Sequence, residues 1–319
     1  MWKCFALLLV VCLASGSANA AENFPTRPIT IVAGTSRGGI TDVISRAYAD
    51  AVSKDLRQRV VVDNKPSESG GEAAALVQAA APDGYTLLVF SGAQHAALPA
   101  IRNVGYEPVQ SFAPVTTLFT LVNFMAVRSG GANSVAQLLQ TGRTKSGGLI
   151  FGSSGLGSTS HLTAMRLSSS TNTPVRPVHY AGAAPMIADL IGGKLDFTFV
   201  SYTVAKSYVS DGRLKLLAVD ALDRWPDLPE LPTLSDAGIN QEKVASWFAL
   251  AAPAGTPPSV IQRLHDAFVR ASRSPVLETA AHENGALITT STAGELRTMI
   301  AHEVNSTKTL IRSLNIRQQ

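Results

Sequence analysis

Apolar positions along this chain follow two alternating periodicities. Short β-branched or apolar runs at Ile29 to Val32, Val60 to Val62 and Thr86 to Phe90 have the length and composition of buried strands. Between the first two, Val43, Ile44, Ala47, Tyr48, Ala51, Val52 and Leu56 recur at helical spacing, which predicts a helix with one stripe against a sheet. The polar cluster Arg57 to Arg59 ends that helix, and Ala73 to Ala80 predicts the next. This order is the rhythm of an α/β fold with parallel strands.

A second series begins near Asn123 to Val127. It continues through a helix at Val135 to Gln140 and strands at Leu149 to Phe151, Val175 to Tyr180, Leu195 to Val200 and Leu214 to Asp220. The proline-rich stretch Pro226 to Pro232 interrupts both periodicities. Beyond it, Trp247 to Ala252 predicts a strand and Pro258 to Arg270 a helix with proline near its start. The pattern predicts two α/β lobes, with the last third returning to the first. In residue numbers these are a domain of 21–122 plus 246–319 and a domain of 123–245, with crossing segments near both boundaries.

The amino terminus has a different character. Lys3, the apolar stretch Phe5 to Ala14 and the small-residue pattern Ala18-Asn19-Ala20 read as a secretory signal peptide over residues 1–20, cleaved after Ala20. The apolar stretch is about half the length a membrane-spanning helix needs. Both cysteines, Cys4 and Cys12, fall inside it, so the mature chain has no disulfide, thiol nucleophile or cysteine-held zinc. The expected location is the periplasm. Lys and Arg number 27 against 23 Asp and Glu, a net +4 without a basic run, which gives nucleic-acid binding no support.

Two glycine-rich strand-to-helix turns carry the candidate chemistry. Arg37-Gly38-Gly39-Ile40-Thr41-Asp42 follows the first strand, and Gly152-Ser153-Ser154-Gly155-Leu156-Gly157-Ser158 follows Leu149 to Phe151. Each leaves N–H groups at a helix start, which suits an anion. Glycines also serve simply to turn tightly, and Thr41 or Asp42 can cap the helix. Arg37 favours a carboxylate, whereas the charge of Asp42 competes with one.

The second turn lacks the third glycine of a dinucleotide fingerprint and the lysine of a phosphate loop, and Leu156 stands where a nucleophile elbow needs glycine. Ser153, Ser154 and Ser158 are therefore read as hydroxyl donors. His161, just inside the next helix, either caps, packs or faces a ligand. None of the six histidines forms a pair with zinc spacing, so neither a metal nor a cofactor is expected. His179-Tyr180-Ala181-Gly182-Ala183-Ala184-Pro185 offers a third small-residue turn.

Taken together, these residues resemble the tripartite tricarboxylate transporter solute receptors, also called Bug receptors, over essentially the whole mature chain. The similarity rests on Ile31 to Arg46 and on Val60-Val61-Val62-Asp63-Asn64-Lys65-Pro66, which resembles the family's Val-Val-Val-Glu-Asn-Arg-Pro. It continues through Pro82 to Leu88, Gly152 to Leu162, Asp189 to Gly193, Leu231-Pro232-Thr233 and Trp247 to Pro257. The resemblance implies a type II, Venus-flytrap binding protein with a mixed β-sheet flanked by helices in each domain, acting as a monomer. It implies capture of a small organic carboxylate in the cleft and delivery to a membrane permease. It also implies ligand contacts from Gly38, Gly39, Thr41, Asp42, Ser153, Ser154, Ser158 and His161, with Ser91, His95, Tyr180, Gly182 and Ala183 on other cleft-facing segments.

The chain departs from the family pattern in three places. Ala33-Gly34-Thr35-Ser36-Arg37 stands for Val-Pro-Phe-Ala-Pro, His179-Tyr180-Ala181-Gly182 for Pro-Tyr-Lys-Gly, and Pro66-Ser67-Glu68 for Pro-Gly-Ala. The first exchange loses a ring and gains hydroxyls and a cation, so Arg37 or polar groups of the other lobe are expected to read the remote end of the ligand. Two competing readings are an exported serine hydrolase using Ser154 or Ser158 with His161 and a distant aspartate, and a receptor-derived sensor or interaction protein.

Overall fold

The apolar runs become two mixed sheets flanked by helices in a computed structural model that describes residues 24–313, apart from 68–70, 98, 100–102, 154–157, 181, 222 and 240–246. The leader read at residues 1–20 lies outside these. Along the chain come β1 (Ile29–Ala33), α1 (Ile40–Leu56), β2 (Val60–Asn64), α2 (Gly71–Gln78), β3 (Thr86–Ser91), a π-helical turn (Gly92–Ala97) and β4 (Phe112–Leu121). Next are β5 (Asn123–Arg128), α3 (Val135–Thr144), β6 (Leu149–Ser153), α4 (Thr159–Thr171), β7 (Val175–His179), α5 (Ala183–Ile191), β8 (Phe197–Ser201), α6 (Tyr202–Ser210) and β9 (Leu214–Asp220). The chain continues with β10 (Trp247–Pro253), α7 (Pro258–Ala271), α8 (Pro275–Glu283), β11 (Ala286–Ile288) and α9 (Ala293–Ser313).

The strand orders are β11-β4-β10-β3-β1-β2 and β7-β6-β8-β5-β9. In the first sheet β1 runs parallel to both β2 and β3, and in the second β6 runs parallel to both β7 and β8. The remaining pairings, β10 with β3 and β4, β11 with β4, and β5 with β8 and β9, are antiparallel. Each lobe is thus a β-α-β-α-β unit with its first strand in the middle. The expectation of parallel strands holds for these units, and antiparallel strands extend each sheet.

Helices cover both faces of each sheet, as crossover connections require. On the first, Ile44, Tyr48 and Val52 of α1 pack with Leu264 and Phe268 of α7 against Ile29, Ile31 and Leu87. Tyr48 stacks on Phe268 at 5.7 Å, and its hydroxyl donates to the Leu118 carbonyl at 2.8 Å, which satisfies that buried donor. On the second, Leu138 and Leu139 of α3 and Leu167 of α4 meet Phe151, Phe197 and Phe199. Trp247 and Phe248, read as packing residues, stack on Phe90 at 6.0 Å and on Phe119 at 4.6 Å respectively.

Several elements were not apparent in the sequence pattern. β4 is broken by Pro114 and carries Thr116 and Thr117, which hide its apolar alternation. Inside the sheet Thr116 donates to the Ser291 carbonyl at 2.9 Å, and Ser291 Oγ accepts from the Thr117 N–H at 3.1 Å. Helices α5, α6, α8 and α9 have narrow apolar stripes. In α9 the stripe is Leu296, Ile300 and Val304. α1 also starts at Ile40, ahead of the apolar periodicity that marks its body.

Candidate functional site

Register places the carboxyl ends of both parallel strand sets beside the chain crossings. β4 ends at Leu121 on the same edge as Ser91 of β3, because Phe248 pairs with both Ser91 and Phe119. β5 begins at Asn123, opposite Ser201 at the end of β8. A single residue, Val122, therefore joins the carboxyl edge of one sheet to that of the other, and its N–H donates to the Gly285 carbonyl at 3.0 Å. The return crossing leaves β9 at Asp220, paired with Asn123, and enters β10 at Trp247, paired with Thr120. In open α/β sheets ligands bind outside these carboxyl ends, where successive connections leave in opposite directions. The two glycine-rich turns follow β1 and β6, the middle strand of each parallel set.

The first turn is held by a ring of polar contacts. Gly38 has φ +82, which only glycine adopts without strain, and a side chain there would meet open space. Its N–H donates to Asp42 Oδ2 at 2.9 Å, and Asp42 Oδ1 pairs with Arg46 at 2.9 Å. Arg46 donates to Asn64 Oδ1 at 2.9 Å, and Asn64 returns to the Thr35 carbonyl at 3.1 Å. Burial raises the Asp42 carboxyl, but bonds from Arg46, Gly38 and Asn64 outweigh it and hold the group below its ordinary pKa. Gly39 is the N-cap of α1 without a side-chain cap, and Thr41 and Asp42 are buried in the first turn. Arg37 is exposed.

The second turn builds a chain of hydroxyls. Ser158 caps α4 by accepting from the His161 N–H at 3.3 Å. Its Oγ lies 3.4 Å from Ser153 Oγ and 3.1 Å from Ser160 Oγ. Ser153, fully buried at the end of β6, lies 3.1 Å from His179 Nδ1. The His161 ring stacks beside Phe151 at 6.2 Å and stands edge-on to His179 at 5.1 Å. Burial, and then His179, push His161 down to about 4, while burial alone lowers His179. Gly152 lets α5 approach β6 closely, since a Cβ there would sit 2.6 Å from Met186 Cγ.

The other expected residues also fall at strand ends. Ser91 closes β3, and its N–H donates to His95 Nδ1 at 2.8 Å. His95 is buried beside Phe90, with ring centres 5.2 Å apart, and its bond to Ser91 fixes the π-helical turn. Tyr180 follows β7, and its hydroxyl donates to Asp189 Oδ2 at 2.9 Å. Gly182 is the N-cap of α5, without a side-chain cap, and Ala183 is its first residue. Ser154 lies outside the described residues.

Residues that the sequence reading left out of the site also stand here. Thr35 Oγ1 is buried without a hydrogen-bond partner, and Ser201, the N-cap of α6, lies 3.1 Å from Thr203 through its hydroxyl. His179 joins the second turn only because β7 pairs with β6 in register Ser153 to His179, a contact that sequence spacing does not signal. Although two histidines meet, no group of three metal-ligating side chains occurs among the described residues. A separate groove of about 870 Å³ beside Ser134, Leu216, Pro229 and Asp236 lies on the β9 side of the second sheet and contains none of these residues. No helix among the described residues is long and apolar enough to cross a membrane.

Comparison with known proteins agrees with this architecture. The family described as tripartite tricarboxylate transporter family receptor matches residues 44–316. A UPF0065 protein from the tcbD-tcbE intergenic region of a Pseudomonas species is 34% identical over 271 residues, covering 84% of this chain and 81% of its own. The crystal structure of a TctC solute binding protein from Polaromonas superposes with a TM-score of 0.81 at 29% identity, covering 91% of this chain and 100% of its own. An R. palustris protein solved with adipate gives a TM-score of 0.77 at 31% identity, covering 92% and 99%. With two mixed sheets joined at their carboxyl edges and a family match spanning both, the chain belongs to the tripartite tricarboxylate transporter family receptors.

Proposed function

We propose that this chain is a periplasmic receptor that captures a small organic carboxylate between its lobes and delivers it, unaltered, to a tripartite tricarboxylate-type membrane permease. The observation that carries the reading is the placement of two donor-rich turns after the middle strands of two parallel units whose carboxyl edges are joined through Val122. The adipate bound by the R. palustris relative supports the ligand class. In this reading Thr41, Ser153, Ser158, Gly182 and Ala183 supply amides and hydroxyls beside the turn that Gly38 and Gly39 shape, whose own N–H groups are engaged by Asp42 and the Ser36 carbonyl; Ser154 adds another hydroxyl, and Arg37 reads the far end of a dicarboxylate. The lobes are residues 21–122 plus 246–319 and residues 123–245, and the exported chain, cleaved after Ala20, acts as a monomer.

Binding shifts the hinge only if the closed form holds the ligand more tightly than the open form. Here the gain comes from completing donors of one lobe with those of the other. A thermal-shift series with adipate, succinate and hexanoate, alongside native mass spectrometry of the purified chain, tests this. Stabilisation by at least one acid, or a co-purified organic acid, is expected. No response to any acid and no bound acid would sink it.

The hydrolase reading pairs Ser154 or Ser158 with His161; Ser158 Oγ accepts from the His161 N–H at 3.3 Å, and the neighbouring Ser153 Oγ lies 3.1 Å from His179 Nδ1. Ser153 is fully buried at the end of a strand, which leaves its hydroxyl as a hydrogen-bonding group rather than an attacking one. A serine-directed fluorophosphonate is therefore expected to leave the chain unlabelled, and stoichiometric labelling at Ser153 or Ser158 would restore the enzyme.

A further inference from the structure

His179 sits where an anion held by the second turn would find a side-chain donor. It is the last residue of β7, an edge strand, and its side chain is exposed. Its Nδ1 lies 3.1 Å from Ser153 Oγ, so the inner nitrogen is engaged and Nε2 is the ring nitrogen on the far side from that contact. We propose that His179 is a specificity-determining residue of this receptor, donating from its outer nitrogen to a carboxylate of the ligand while its inner nitrogen holds the hydroxyl of Ser153. The inference rests on the carboxylate reading of the site.

Hydrogen counting supports the assignment. Ser158 Oγ accepts from the His161 N–H at 3.3 Å and stands 3.4 Å from Ser153 and 3.1 Å from Ser160. Each hydroxyl has one hydrogen to give, so the tautomer of His179 decides whether Ser153 donates to the ring or accepts from it. When Nδ1 accepts from Ser153, the ring hydrogen is on Nε2 and a donor faces outward. When the ring is protonated, both nitrogens donate, and the outward bond to a carboxylate becomes charge-assisted.

The surroundings leave that charge for the ligand to answer. Ser153 faces the ring from β6, the His161 imidazole from α4 at 5.1 Å, and uncharged Gly182 and Ala183 begin α5. On its own strand Arg176 projects to the opposite face, three residues being an odd step. The neighbouring Tyr180 hydroxyl is engaged by Asp189 at 2.9 Å. His179 makes no ion pair among the described residues, whose pairs lie elsewhere. Burial disfavours its charged form in the empty receptor, so a bound carboxylate stabilises the imidazolium and binding takes up a proton.

The test is calorimetric titration of adipate into the mature chain at pH 6.5 in two buffers of different ionisation enthalpy, repeated with His179→Asn and His179→Gln. Asparagine places an amide atom where Nδ1 lies, preserving the Ser153 contact without an outer donor. Thermal melts check that both variants fold. Proton uptake by the wild type that vanishes in His179→Asn, with binding weakened about tenfold as for loss of one charge-assisted bond, is the expected result. Unchanged affinity and proton count in both folded variants would overturn the role of His179 while leaving the receptor reading intact. If the wild type binds another of the tested acids but not adipate, the same titration uses that acid. If it binds none, the receptor reading fails and the assignment falls with it.

Discussion

The Gly38 N–H donates to Asp42 Oδ2 at 2.9 Å, so the turn after β1 already holds a carboxylate belonging to the chain itself. Asp42, nearly fully buried, also pairs with Arg46. The Gly38 amide is thereby taken up inside the turn, and Arg37 beside it is exposed.

Asp42→Asn is expected to cost about 1–3 kcal/mol at neutral pH, the range for a buried group losing charged hydrogen bonds. The sign of its pH dependence follows from the lowered pKa. A carboxyl whose folded pKa is depressed contributes fully above its unfolded value, near 4, and the contribution disappears as pH falls through the lower folded value. Urea denaturation should give a constant difference between the variant and wild type from pH 7 to about 5, closing below about 4. A difference that persists undiminished at the lowest pH would contradict the assignment.

Arg37→Ala separates two kinds of ligand. If the guanidinium reads a second carboxylate, adipate binding should weaken about tenfold, whereas hexanoate, which has the same chain length and one carboxylate, should change little. Isothermal titration of both acids checks this. Equal losses would mean that the side chain acts on the whole site through its charge.

Between the lobes, Arg166 of α4 and Glu303 of α9 form an ion pair at 3.5 Å with both side chains buried, extended by Ser306 at 3.0 Å and Thr307 at 3.2 Å. Removing Glu303 takes a carboxylate away from a buried guanidinium, so Glu303→Ala should cost about 3–5 kcal/mol. The double change Arg166→Met with Glu303→Leu should recover much of it, because well-packed apolar pairs replace such charges at little cost. A double-mutant cycle by chemical denaturation reads the coupling, and additive losses would show that the pair is energetically silent.

A second contact across the lobes is aromatic. His282 of α8 stacks on the buried indole of Trp225, with ring centres 5.1 Å apart and planes within 6°, and lies 3.4 Å from Asp227. His282→Ala should uncover the indole face, shift its emission to the red and lower stability by about 0.5–1.5 kcal/mol. The Trp225→Phe variant, which retains Trp247 alone in the mature chain, assigns the signal. An emission spectrum unmoved by His282→Ala would show that the stack is absent in solution.

The strands of the two parallel units and helices α1, α3 and α7 were legible because each buries one face or both, and burial writes its period into the chain. Both glycine turns were legible because backbone freedom is confined to few residue types. β4 and α9 were not: Pro114 interrupts the pattern of β4, and its threonines, Thr116 and Thr117, answer to hydrogen bonds with Ser291, a partner far along the chain. The resemblance supplied Ser91, His95, Tyr180, Gly182 and Ala183 as members of other cleft-facing segments. It did not disclose that the rings of His161 and His179 meet, nor that Thr35 has a hydroxyl to spare.

By itself the sequence determined the strands of the parallel units and the two glycine-rich junctions that follow β1 and β6, since these are properties of neighbouring residues. Tertiary structure decided which junctions share an edge. Only pairing in register brings Ser153 beside His179 and lets Val122 link the two carboxyl edges, because partners dozens of residues apart are chosen by the burial of whole faces rather than by local pattern.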